Sequence, residues 1–131
     1  MAGYATYIAT IIEEDGRECA CGRKGCLETY VSGTGLLKTY QLMGGHIENR
    51  GPQIFKLAQA SDKKASLAIE KTLYYLAIGI SNILNTLAPE LILLGGGMAE
   101  QSEKTILIPL REKIKAIMSM PFNYPEMIQI A

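Results

Sequence analysis

The apolar positions of this chain change period several times, and each change marks an element. Ile69, Leu73, Leu76, Ile80, Ile83 and Leu87 step by four and three residues along one stripe, which is the spacing of a single buried helix face. With Ser61 as N-cap and Pro89 as the stop, this predicts a long core helix over about 61–87. Gly79 inside it costs about 1 kcal/mol relative to alanine, and so predicts close packing against a neighbour. Next, the unbroken run Leu91-Ile92-Leu93-Leu94 predicts a short strand buried on both faces. Gly95-Gly96-Gly97 then turns the chain into a further helix.

Weaker periodicities fill in the rest. Residues 4–12 mix β-branched and aromatic side chains and meet Glu14-Asp15-Gly16, a strand followed by a tight turn. Leu27, Tyr30 and Val31, then Leu36, Leu37 and Tyr40, give two helices broken at Ser32-Gly33-Thr34-Gly35 and closed by Gly44-Gly45. Gly51-Pro52 opens a short helix whose apolar face is Ile54, Phe55 and Leu57. After Pro109, the positions Leu110, Ile114, Ile117 and Met118 form one more amphipathic helix, which Pro121 stops, and 127–130 begins a strand. Strands alternating with helices define an α/β chain.

Composition narrows the functional classes. The 131 residues are 48% hydrophobic and 20% charged, enough apolar surface for one packed domain. Thirteen basic and thirteen acidic side chains cancel, which removes the broad attraction that nucleic acids or acidic membranes require. The most apolar region, 76–97, is interrupted by Asn82, Asn85, Pro89 and Glu90 and is too polar to span a membrane. No charged start, apolar run and small-residue cleavage site follow one another, so a cytoplasmic protein is expected.

The candidate chemistry is concentrated in one place. All three cysteines fall within CACGRKGCLE, as Cys19, Cys21 and Cys26, with Gly22 and Gly25 between them. Glycines permit turns tight enough to aim three sulfurs at one centre, and zinc binds thiolates. An odd number of clustered cysteines argues for metal binding or a reactive thiol over a disulfide framework. Three buried, protonated thiols in a loop are the plainer alternative.

CACGRKGCLE followed by TYVSG resembles the Cys-x-Cys-Gly-x2-Gly-Cys-x-Glu signature of the ROK (repressor, open reading frame, kinase) family of bacterial sugar kinases and sugar-responsive repressors. Residues 85–97, NTLAPELILLGGG, are similar to that family's Asn-x3-Pro-x2-Ile-x2-Gly-Gly segment. The resemblance implies the C-terminal lobe of an actin-like ATPase (ribonuclease H-like) fold bearing a cysteine knuckle. On this reading residues 1–131 are a single partial domain truncated at both ends, with the knuckle at 16–28, the long helix at about 61–87 and the strand and glycine turn at 91–97. It implies that Cys19, Cys21 and Cys26 ligate a structural zinc, that Glu28 contacts a sugar hydroxyl, and that Gly95, Gly96 and Gly97 pass close to the adenine and ribose of ATP. ATP and Mg belong to an intact kinase, a homodimer is implied because family members associate through this lobe, and nucleic acid enters only if another region supplies its binding.

Two departures limit the activity. The family's fourth zinc ligand is a histidine ten residues before the first cysteine, a position held here by Ala9, and Ala5-Thr6-Tyr7-Ile8-Ala9 contains neither that histidine nor the accompanying glutamate. The sole histidine, His46, lies twenty residues beyond Cys26, and is a candidate substitute alongside water or a carboxylate. The chain also contains no Asp-x-Gly-x-Thr turn, which in the family holds phosphate. A sugar-kinase fragment, inactive by itself, is therefore expected; the alternatives are a fragment of a sugar-responsive regulator and a non-catalytic interaction domain.

Overall fold

A computed structural model describes residues 10–46, 48, 50–96, 103–118 and 124–131. The order of elements is α1 (Glu28–Val31), α2 (Gly33–Leu42), α3 (Gly51–Gln59), α4 (Lys63–Leu87), β1 (Ile92–Leu94), α5 (Leu107–Ile117), α6 (Tyr124–Met127) and β2 (Ile128–Ile130). Helix α4 is the axis of the packing: α1, α2, α3 and α5 all lie against it. Its inner face buries Ala65, Ala68, Ile69, Leu73, Ala77, Ile80 and Leu84 against Leu36 and Tyr40 of α2, Ile54 and Phe55 of α3, and Leu107, Leu110 and Ile114 of α5.

The start of α4 lies one residue beyond the expected cap. Asp62, not Ser61, caps it, accepting the Ala65 N–H at 2.8 Å. Ser61 is already committed to ending α3: it takes φ +67°, and the Ser61 and Asp62 N–H groups donate to the Ala58 and Leu57 carbonyls, a Schellman closure that holds Ser61 in the left-handed region. At the other end Leu84 is the last buried member of the apolar stripe, and Leu87 is 54% exposed. Helix α5 begins at Leu107, so Pro109 lies inside its first turn and does not precede it. Proline is tolerated there because first-turn N–H groups have no intrahelical acceptor.

Strands β1 and β2 pair in parallel, Ile92 with Ile128 and Leu94 with Ile130. The expectation of a strand buried on both faces is corrected here. Ile92 and Leu94 pack on the core, whereas Leu93 is 56% and the preceding Leu91 49% exposed. Alternate side chains of a strand face opposite ways, and among the described residues helices cover only the Ile92 side. The strand expected over 4–12 lies mostly outside the described residues; its last part forms an antiparallel bridge between Ile11 and Cys26. The expected strand over 127–130 is observed from Ile128, Met127 closing α6, and Pro121 lies outside the described residues.

Between α1 and α2 the break narrows to one residue. Ser32 donates its N–H to the Glu28 carbonyl at the end of α1 and accepts the Gly35 N–H on its hydroxyl at the start of α2. Gly33-Thr34-Gly35 form the first turn of α2. The two helices then cross so closely that a Cβ on Gly35 would stand 2.6 Å from the Tyr30 carbonyl carbon and 2.8 Å from the Thr29 oxygen, while one on Gly33 would meet nothing within 4 Å. In an open helix Gly→Ala stabilises by up to about 1 kcal/mol. We therefore expect Gly35→Ala to lower the unfolding free energy by about 1–3 kcal/mol, as overpacking does, and Gly33→Ala to leave it unchanged or raise it. Urea denaturation of the two variants checks this pairwise; equal effects would contradict the close crossing.

Candidate metal centre and the platform beneath it

The knuckle is a short hairpin laced by its backbone. The Gly25 N–H donates to the Arg17 carbonyl at 2.8 Å, Cys19 to Arg23 at 2.9 Å and Gly22 to Cys19 at 3.0 Å, and Glu18 bridges Lys24. This folding brings the Cys19, Cys21 and Cys26 sulfurs within 4.8 Å of one another. Gly25 is required at its position: φ is +78°, and a Cβ would fall 1.7 Å from the Glu13 carbonyl oxygen, which no side chain could survive without moving the hairpin.

The sulfurs fit a metal. Tetrahedral zinc with bonds of about 2.3 Å separates its ligand sulfurs by about 3.8 Å; the spread of 4.8 Å, with Cys21 and Cys26 at 3.5 Å, brackets that value. Among the described residues these three supply the cluster's ligand atoms. His46 is exposed and is not a member of it, so the structure does not bring the substitute histidine to the site. Ala9 lies outside the described residues.

Electrostatics divide the thiols. The Arg23 backbone N–H, then the Arg23 side chain, hydrogen-bond the Cys21 sulfur and lower its pKa to about 6. Burial, followed by the hydrogen bonds of its thiol with the Cys21 and Cys19 sulfurs, pushes Cys26 up to about 11. An exposed sulfur poised as thiolate thus sits beside a buried thiol.

What fixes the hairpin to the helices is Arg17, which the sequence reading passed over. Its Nη1 donates to the Thr29 carbonyl at 2.8 Å and the Gly35 carbonyl at 3.1 Å, and Nη2 to the Thr39 hydroxyl at 2.8 Å. The guanidinium carbon lies 4.4 Å from the Tyr30 ring centroid, and the Arg17 N–H donates to the Tyr30 hydroxyl at 3.1 Å. Tyr30 in turn lies against Tyr75 of α4 with ring centroids 4.2 Å apart, and the Tyr75 hydroxyl donates to Glu13 at 3.2 Å. Burial raises the Tyr75 pKa, with Glu13 adding to it, so the phenol stays a donor. A lone arginine next to a glycine looks like surface charge in the sequence, and its partners Thr29, Tyr30 and Thr39 lie 12, 13 and 22 residues further along, in α1 and α2.

Glu28 opens α1 and is exposed, two residues after Cys26. The segment carrying both is held tightly. Cys26 is buried, its carbonyl accepting the Thr29 hydroxyl at 2.7 Å, and the Leu27 N–H donates to the Thr10 carbonyl at 2.8 Å. Leu27 is buried against Gly79, where a Cβ would stand 2.5 Å from its Cδ2. This is the close packing that Gly79 led us to expect. Gly95 and Gly96 belong to a separate feature, an exposed turn at the carboxyl end of β1 with Gly96 at φ +99°, the end of a parallel strand where α/β folds bind ligands. Gly97 lies outside the described residues.

Comparison with known proteins identifies the class. The chain matches the ROK family over residues 2–131, and it belongs to that family. It is 34% identical over 129 aligned residues to a glucokinase from Halalkalibacterium halodurans, covering 88% of this chain and 38% of that protein. A ROK family glucokinase from Streptomyces griseus, solved with glucose and AMPPNP, superimposes with a TM-score of 0.80 at 20% identity, over 95% of this chain and 44% of that one. A ROK family transcriptional regulator, a homologue of the E. coli MLC protein, superimposes with a TM-score of 0.72 at 25% identity, over 92% of this chain and 32% of that one. The chain thus spans less than half the length of these relatives, and its fold is part of the actin-like ATPase fold. No helix among the described residues is long and apolar enough to cross a membrane.

The divided thiols predict an order of reaction. In the chelator-treated chain, alkylation by iodoacetamide should start at Cys21, its rate rising through about pH 6 and levelling by pH 8, while Cys26 stays unmodified at pH 8. Peptide mapping checks this, and equal labelling of both at pH 7 would contradict it.

Proposed function

We propose that this chain is the C-terminal lobe of a ROK sugar kinase, in which the knuckle holds a structural zinc and Glu28 contacts a hydroxyl of a hexose or N-acetylhexosamine. The observation that carries the reading is the convergence of the Cys19, Cys21 and Cys26 sulfurs on a segment that continues without slack into Glu28. Zinc, when bound, would hold the three thiolates together and close the hairpin. The chain's own residues do the rest. Leu27 anchors the segment to α4, the Cys26 backbone is bridged to Ile11 and accepts from Thr29, Arg17 ties α1 to α2, and Glu28 is left facing solvent at the start of α1. An aligned carboxylate that accepts sugar hydroxyls is a positioning group of the kind phosphoryl transfer depends on.

The exposed turn at Gly95 and Gly96 is the second contribution, offering room for nucleotide at the end of β1. Transfer also requires a phosphate-binding turn and a base, and the chain contains no Asp-x-Gly-x-Thr. The lobe alone therefore positions and does not catalyse. The resemblance makes a second copy the expected protein partner, and ATP as phosphoryl donor makes the cytoplasm the working compartment. The match to a ROK regulator supports a second reading, in which the same site senses sugar without transferring phosphate.

Titration calorimetry of the zinc-loaded chain with glucose and N-acetylglucosamine tests the reading. We expect about one zinc per chain, lost in Cys26→Ser, and sugar binding weakened about tenfold or more by Glu28→Gln, the usual cost of losing a charged hydrogen bond. No ADP release is expected from the chain alone. Sugar-dependent ADP release would overturn the lobe reading, and sugar binding indifferent to Glu28→Gln would remove that residue from the site. Saturable binding of Mg-ATP favours the kinase; sugar binding without it favours the regulator.

A further inference from the structure

The cysteine cluster holds a second chemistry that does not depend on zinc or sugar. Cys21 and Cys26 have their sulfurs in direct contact at 3.5 Å, closer than the 4.8 Å that bounds the whole cluster. The two differ in freedom. Cys26 is fully buried, bridged through its backbone to Ile11 and hydrogen-bonded by Thr29, and so cannot move without disturbing the seat of Leu27 on α4. Cys21 is exposed at the tip of the hairpin, followed by Gly22, around which a Cβ would meet nothing within 4 Å. A disulfide bond of about 2.05 Å requires the sulfurs to approach by roughly 1.5 Å, and the tip can supply that movement alone.

We propose that, in the metal-free protein, Cys21 and Cys26 form a reversible intramolecular disulfide, with Cys21 as the attacking sulfur and Cys26 as the resolving one, and a small-molecule disulfide such as oxidised glutathione as the oxidant. The Cys21 sulfur attacks one sulfur of glutathione disulfide, whose S–S bond breaks and whose other half leaves as thiolate. The Cys26 sulfur then attacks the Cys21 sulfur, the mixed disulfide breaks, and the second glutathione leaves. Two protein thiols are oxidised, one glutathione disulfide is reduced to two thiols, and the two cysteine protons end on the two glutathiones. Cys19 remains a free thiol. The disulfide and a three-sulfur metal site exclude each other, because one sulfur pair cannot serve both. The knuckle is then a site of thiol modification whose closed form cannot take up metal through all three sulfurs and whose metal-loaded form resists closure.

The test treats the full 131-residue chain with chelator and then with oxidised glutathione. Ellman titration should fall from three thiols to one, intact mass should drop by two hydrogens, and a non-reducing peptide map should show the Cys21–Cys26 link with Cys19 alkylated. Dithiothreitol should restore all three thiols, and Cys19→Ser should still form the Cys21–Cys26 link. A persistent glutathione adduct on Cys21 without closure, a link that includes Cys19, or three thiols retained would each overturn the proposal. The map of the unmutated chain decides even if the variant does not fold. Zinc content, measured separately by elemental analysis, reports on the metal reading, so failure of one leaves the other standing.

Discussion

The half-buried guanidinium of Arg17 is the contact on which the arrangement of this lobe depends. Loop 10–27 has little regular structure of its own: two isolated bridges and a few backbone hydrogen bonds hold it together. Such a hairpin has no core and fixes its position only through what it grips. Arg17 grips the Thr29 carbonyl in α1 and the Gly35 carbonyl and Thr39 hydroxyl in α2, and lies over Tyr30, which leans on Tyr75 of α4. Burial lowers its pKa somewhat, yet guanidinium stays charged at any relevant pH. Among the described residues its donors are met by carbonyls and a hydroxyl in place of a carboxylate, so it acts as a planar clamp on the backbone.

The second constraint is steric. Leu27 fills the space that a side chain at position 79 would occupy, Gly25 lets the hairpin lie on the backbone of Glu13, and Gly35 lets α2 cross α1. Three glycines and one leucine thus set the height at which Cys26 and Glu28 stand above α4. The functional reading follows from that geometry: a metal at the sulfurs would rigidify a segment already seated, and Glu28 inherits the rigidity at a distance of two residues. Membership of the ROK family supplies the class, and a glucokinase and a transcriptional regulator share its fold.

The parts legible in the sequence were those fixed by local repetition. The stripe from Ile69 to Leu87, whose last buried member is Leu84, and the spacing that gathers three cysteine sulfurs within 4.8 Å both depend on residues close in the chain. Contacts between distant segments were not legible. Arg17 meets Thr39 across 22 residues, and nothing in its immediate surroundings distinguishes it from a solvated charge. Ser61 and Asp62 are both good caps, and the choice between them is made by the closure of the previous helix. The run Leu91-Ile92-Leu93-Leu94 shows that a strand is apolar, but not which of its faces its own chain covers. Glu28 was singled out through the family resemblance alone, since an exposed glutamate in a first helical turn has no signature of its own.

The unfolding free energy of Arg17→Met tests this account most directly, because methionine keeps an apolar stem while removing every donor. Leaving the Thr29 carbonyl without its guanidinium donor, and the Gly35 carbonyl with the Thr39 hydroxyl at 3.0 Å, should cost about 1–3 kcal/mol in urea denaturation, and Arg17→Lys should not recover it, since an ammonium cannot span three acceptors in a plane. A loss below about 0.5 kcal/mol for Arg17→Met, the range of an ordinary surface substitution, would show that the knuckle is held by something else.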